Sequence, residues 1–251
     1  MTTSSTSQGS SWIRRYVPCE ASDIRLVCFP HAGGSASYYY WLARALAPKI
    51  EVLALQYPGR QDRRLEKCIE SIPEMADAVV KEIQGVSYPY AFFGHSMGAA
   101  LAFEVSLRLQ ALGEKQPARL FLSGRRGPTC ARSDRIHLRD DAGLLEEIVR
   151  LGGTDPRVLE DDELVASMLT MIRSDYKAAE THAYTPGPRL DCPITTLVGD
   201  ADPHASTSEA STWTDQSTAA FDMQVFPGGH FYLTDNKQAV ADAISTRLAR
   251  P

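Results

Sequence analysis

The 251-residue chain has no surplus of positive charge: 26 Lys and Arg stand against 31 Asp and Glu, a formal net charge of −5. Nucleic-acid binders ordinarily carry a basic excess, so the composition argues against that class. No apolar run approaches the roughly 20 residues needed to span a bilayer, and no membrane association is expected. The N-terminal stretch, Met1 to Ser11, is rich in Ser and Thr and lacks the basic-then-apolar layout of a secretory signal. Residues 1–11 read as a disordered tail on a cytoplasmic protein. The five cysteines (Cys19, Cys28, Cys68, Cys130, Cys192) are odd in number, scattered, and form no C-x-x-C pair. Such spacing argues against both a disulfide framework and a zinc site. Neither metal nor cofactor is expected.

What is present is the composition of an ordinary globular protein, 43% apolar and 23% charged. Residues 12–251 are expected to form one α/β domain with a core that needs no staples. Short apolar, β-branched runs alternate with longer amphipathic stretches, the pattern of parallel β-α-β units. The expected strands are Arg25–Phe29, Glu51–Gln56, Tyr90–Gly94, Arg119–Ser123, Ile194–Gly199 and Asp222–Phe226. They are apolar on both faces, as strands covered by helices on both sides should be. Between them lie expected helices at Tyr38–Leu46, Ile72–Gln84, Met97–Leu112 and Ala205–Trp213, with Lys237–Leu248 closing the chain. From Arg125 to Pro188 the alternation stops and the pattern is helical, Asp141–Arg150 and Asp161–Ala183 around a Gly152-Gly153-Thr154-Asp155-Pro156 turn. Residues 125–188 are expected to cap the end of the sheet where ligands bind in open α/β folds, as a helical lid.

The segment Gly94-His95-Ser96-Met97-Gly98 is a G-x-S-x-G between an expected strand and an expected helix. That setting is the one a nucleophile elbow requires. A serine hydroxyl is a weak nucleophile without an adjacent base. His230, in Pro227-Gly228-Gly229-His230-Phe231 after the last strand, is the candidate base; His95, His137, His182 and His204 are placed less well. Asp202, in Gly199-Asp200-Ala201-Asp202-Pro203, is the candidate partner of that histidine, while Asp200 is expected to shape the turn. Oxyanion donors are expected from the Met97 amide and from the loop Phe29-Pro30-His31-Ala32-Gly33-Gly34-Ser35, with Ala32 first choice and Gly33 second. His31 reads as structural. In the lid, Met168, Met171, Ile172 and Tyr176 stand at helical spacing and are candidates for lining an acyl chamber.

These motifs, with Gln56-Tyr57-Pro58-Gly59-Arg60, Leu151-Gly152-Gly153-Thr154 and Pro186-Gly187-Pro188, together resemble the type II thioesterases. Those are discrete enzymes serving polyketide synthases and nonribosomal peptide synthetases, and the resemblance spans Trp12 to Leu248. It implies the α/β-hydrolase fold, a Ser96–Asp202–His230 triad, and hydrolysis of acyl groups from the phosphopantetheine arm of acyl or peptidyl carrier proteins. Phosphopantetheine would then arrive with the substrate. The resemblance is to the discrete enzymes because no carrier domain precedes the first expected strand. Carrier proteins are usually acidic, so a net-negative enzyme needs a local basic patch to attract them; Arg60, Arg63 and Arg64, or Arg125 and Arg126, are candidates. Docking is expected to be transient, and the enzyme a monomer. Two other readings stay open: a general carboxylesterase or peptidase on the same fold, and a catalytically idle carrier-binding module.

Overall fold

The computed structural model describes residues 10–130, 132, 134–152 and 162–249. Most of the expected tail and of the expected Gly152–Pro156 turn therefore lies outside the described residues. Seven strands form one sheet: β1 (Ile13–Arg14), β2 (Ile24–Phe29), β3 (Ile50–Leu55), β4 (Tyr90–His95), β5 (Leu120–Ser123), β6 (Ile194–Gly199) and β7 (Phe221–Phe226). Their order is β1-β3-β2-β4-β5-β6-β7. All neighbours are parallel except β1, which pairs antiparallel with β3 through Ile13 opposite Leu55. A two-residue edge strand carries too little periodicity to be read from sequence, and β1 was not expected.

Alternation along each strand sends side chains to two cores. Val27, Phe29, Phe92 and Leu120 pack with α2 (Ile72–Ile83) and α3 (Met97–Ala111) on one face. Leu26, Cys28, Phe93 and Phe121 pack with α1 (Tyr40–Leu46) and α7 (Lys237–Leu248) on the other. Helix α2 begins where the Ser71 hydroxyl accepts the Glu74 amide, an N-cap that satisfies one orphan donor. Between β5 and β6 stand α4 (Asp141–Leu151) and α5 (Asp162–Thr181), which carry a small core of their own around Ile136, Leu144, Ile148, Leu169 and Ile172. Between β6 and β7, the expected Ala205–Trp213 helix is split into α6 (Thr207–Ser211) and a 3₁₀ turn at Thr212–Gln216.

The chain reverses direction across the sheet between β2 and β4, and in such folds the crevice at that switch point is where ligands bind. Backbones meet there almost without side chains. A Cβ on Gly98 would stand 2.0 Å from the Phe29 carbonyl oxygen, and one on Gly94 would stand 2.2 Å from the Gly98 oxygen. Both offending atoms are main chain and cannot rotate away. Gly98→Ala should therefore destabilise the fold by about 3 kcal/mol, the upper part of the usual overpacking range. Urea unfolding monitored by tryptophan fluorescence checks this, and an unchanged midpoint would contradict the contact.

Candidate active site

Every functional segment expected from sequence leaves the carboxyl end of a parallel strand. The loop after β2 carries Ala32, β4 runs into Ser96, β6 into Asp202, and β7 into His230. Ser96 has φ 54° and ψ −114°, a left-handed conformation that costs a non-glycine residue roughly 1–3 kcal/mol. The strain is held by β5, whose Ser123 carbonyl accepts the Ser96 amide at 2.8 Å, and by the glycine contacts around it. A sharp strand-to-helix turn of this kind lifts the serine hydroxyl clear of the sheet.

His230 Nδ1 lies 3.0 and 2.9 Å from the two carboxylate oxygens of Asp202. Both side chains are withdrawn from water, 4% and 0% exposed. The contact fixes the ring and leaves Nε2 for the cavity. Asp202 also accepts the His204 amide at 2.8 Å, which orients the carboxylate in turn. Asp200 does what a turn-shaping residue should: its side chain accepts the Gly228 amide at 2.9 Å and joins the β6 loop to the glycines ahead of His230.

Of the other histidines, His182 and His204 line the same cavity as His230, and His31, His95 and His137 do not. His95 is fully buried, with Nδ1 2.9 Å from the Ser123 hydroxyl, and burial drives its pKa well below the ordinary value. His31 packs edge-on against Tyr38 and Phe231; burial, with help from the charges of His230 and Arg60, lowers its pKa to about 3. The His137 side chain meets Glu180, and that of His204 meets Glu147 at 3.0 Å.

Ser96 and His230 open into one cavity of about 610 Å³, whose wall includes Ala32 and Met97 but not Gly33. Met97 is the first residue of α3, and the amides of a first helical turn have no partner within the helix. The Gly33 amide is already spent, donating to Asp175 at 2.7 Å. Of the two loop candidates, Ala32 lines the cavity and Gly33 does not. Apolar walls come from Ala100, Phe103, Tyr176, Tyr184 and Trp213. Phe103 meets Trp213 edge-to-face at 4.9 Å between ring centres.

Two sets of expectations need correction. Of the four lid residues, only Tyr176 lines the cavity; Met168, Met171 and Ile172 pack into the small core shared by α4 and α5. Ile172 also presses on Gly33, where an added Cβ would meet it at 2.6 Å. Arg60 and Arg63 are no surface patch, being 2% and 6% exposed. Arg60 pairs with buried Asp175, while Arg63 bonds the Gln56 carbonyl and lies over Trp12. Of that trio only Arg64 is exposed, and Arg125 and Arg126 line the cavity. Ala100 and Phe103 were missed, although they follow Ser96 by four and seven positions, the spacing of one helix face.

Among the described residues no group of three or more His, Cys, Asp and Glu could hold a metal ion, and no helix is long and apolar enough to cross a membrane. Fold and site together define a protein of the α/β-hydrolase class. The thioesterase domain family model matches residues 24–248, and the chain belongs to the thioesterase family. It is 47% identical to a probable cadicidin biosynthesis thioesterase of Streptomyces griseus, over 95% of this chain and 65% of that protein's length. Its identity to thioesterase PikA5 of Streptomyces venezuelae is 46%, over 94% of this chain and 85% of the relative. The solved structure of the type II thioesterase BorB from the borrelidin biosynthetic cluster superposes with a TM-score of 0.88 at 45% identity, covering 94% of this chain and 97% of that one.

The geometry separates the two aspartates. Asp202→Asn should lower kcat by about 10³–10⁴-fold, because an amide leaves the imidazole in the wrong tautomer. Asp200→Asn keeps an oxygen for the Gly228 amide and should cost less than about tenfold, since only a turn contact is perturbed. Steady-state kinetics on a thioester substrate check the ranking; the reverse order would move the acid to Asp200.

Proposed function

We propose that this chain is a type II thioesterase, a discrete enzyme that hydrolyses acyl groups from the phosphopantetheine arm of acyl or peptidyl carrier proteins in polyketide or nonribosomal peptide biosynthesis. The observation that carries the reading is the meeting of a strained Ser96 and an Asp202-held His230 in one cavity with an apolar wall. Membership in the thioesterase family supports it.

In the proposed reaction His230 Nε2 takes the proton of Ser96 as its Oγ attacks the thioester carbonyl. The Met97 and Ala32 amides receive the oxyanion, each contributing roughly 3–4 kcal/mol of barrier lowering. Collapse of the tetrahedral adduct breaks the C–S bond, and His230 returns the proton to the departing pantetheine thiol. His230 then activates water, which releases the free acid and restores Ser96. Asp202 stays ionised throughout and stabilises the imidazolium. The helical segment between β5 and β6 serves as the lid: it closes the cavity over Ser96 and supplies Tyr176 to its apolar wall. The enzyme works as a monomer with transiently docked carrier proteins.

Ser96→Ala should abolish hydrolysis of an acyl-carrier protein while leaving carrier binding intact, and a fluorophosphonate probe should label wild type at Ser96 alone. Residual turnover near that of wild type would contradict the assignment. Faster turnover of simple esters than of acyl-carrier protein or acyl-pantetheine would favour a general esterase instead.

A further inference from the structure

The oxyanion loop is built against a buried ion pair that the reaction above does not use. Residues 31–34 form a turn in which the Gly34 amide donates to the His31 carbonyl at 2.9 Å, and Gly33 has φ +78°. A positive φ at the third position is that of a type II turn. The His31 carbonyl and the Ala32 N–H belong to one trans peptide and point in opposite directions. Holding the carbonyl with Gly34 therefore aims the Ala32 N–H the other way.

What holds the next peptide comes from the helical insertion. Asp175 of α5 is fully buried; its Oδ2 accepts the Gly33 amide at 2.7 Å and also meets the Arg60 guanidinium. Arg60 in turn donates to the Pro58 carbonyl at 2.6 Å and reaches the Gly34 carbonyl at 3.4 Å. Ile172, one turn earlier on α5, packs on Gly33 itself. Flipping the Ala32–Gly33 peptide would turn a carbonyl oxygen onto the carboxylate, so Asp175 fixes that peptide and anchors the whole turn against α5, while the Gly34 bond sets the direction of the peptide before it. The arrangement is poor as a stabilising device. Both donors crowd Oδ2, and Oδ1 is buried with no hydrogen-bond partner. Buried ion pairs contribute little net stability, and an orphaned polar atom calls for another explanation.

We infer that Asp175, charge-balanced by Arg60, is a positioning residue: it anchors the 31–34 turn against α5, at the place from which the Ala32 N–H faces the developing oxyanion. The inference rests on the thioesterase reading and on Ala32 as an oxyanion donor. It makes α5 part of the catalytic framework rather than a cover laid over it.

The test uses the full-length enzyme and an acyl-pantetheine thioester. Arg60→Met with Asp175→Leu removes both charges together, and such replacements of buried pairs are often neutral for stability. This double variant should keep the wild-type unfolding midpoint yet lose about tenfold or more in kcat, part of the about 10²–10³-fold that one oxyanion donor supplies. Asp175→Asn should lose activity in the same direction. Because the interaction is made only in the transition state, kcat and kcat/KM should fall together with KM within about twofold. Ala32→Pro removes the N–H and sets the ring Cδ in its place, at a turn position that favours proline. In that background the double variant should cause no further loss. A double variant with kcat within twofold of wild type, or one whose loss persists in full beside Ala32→Pro, overturns the inference. Wild-type turnover and its abolition in Ser96→Ala test the underlying reading separately, whatever Asp175 does.

Discussion

The site depends on one close approach of main chain to main chain. Gly94, Ser96 and Gly98 fold the end of β4 back against the end of β2 so tightly that a methyl group at either glycine would overlap a carbonyl. This constraint forces Ser96 to positive φ and starts α3 immediately after it. The same constraint sets the oxyanion loop against the nucleophile, because the Phe29 carbonyl that Gly98 touches lies three residues before Ala32. The candidate nucleophile, the helix N-terminus and the candidate oxyanion loop are thus placed by a single contact, and the surrounding sheet has only to keep β2 and β4 in register, Phe29 beside Gly94.

Around that contact the neighbouring imidazoles are kept from charging. Three further imidazoles lie around the candidate base: His95 and His204 are 5.0 and 5.2 Å from His230 between ring centres, and His31 is 5.8 Å from His95. Burial lowers the pKa of each, which disfavours a second charged ring beside His230. Like charges at such separation would oppose formation of the imidazolium. The favourable charge is confined to Asp202, on the far nitrogen of the ring.

Legibility in the sequence followed the range of the interactions. The six parallel strands and the elbow are local patterns, and a run such as Tyr90-Ala91-Phe92-Phe93 before Gly94 declares itself without knowledge of the fold. The order Ser96, Asp202, His230 and the turn role of Asp200 were also readable, since each lies just beyond a strand. The arginines were not. Arg60 and Arg63 look like a charged surface run, and only the fold shows that Asp175, 115 positions away, meets Arg60 and that Trp12 covers Arg63. Helical spacing alone also misassigned Met168, Met171 and Ile172. An insertion helix packed on two sides has two buried stripes, and periodicity cannot tell which of them borders a cavity.

The insertion between β5 and β6 is wired to both halves of the site. From α5, Asp175 reaches the oxyanion loop; from α4, the buried Glu147 meets Nε2 of His204 at 3.0 Å, two residues from Asp202. A lid that opened by swinging both helices off the sheet would break these contacts together. It would leave Arg60 without its carboxylate while Pro58 and Gly34 still held it in place, and stranding a buried charge costs about 3–5 kcal/mol. Opening on that path would disassemble the oxyanion loop at the moment substrate entered. Access that leaves α5 seated on Gly33 carries no such penalty, so an acyl chain is better admitted at the rim of the cavity, past residues such as Pro186 and Thr129. On this reading the helices over the site set its shape and its donors at once, and differences in acyl preference between relatives should reside in the side chains of the rim and apolar wall rather than in how far the helices move.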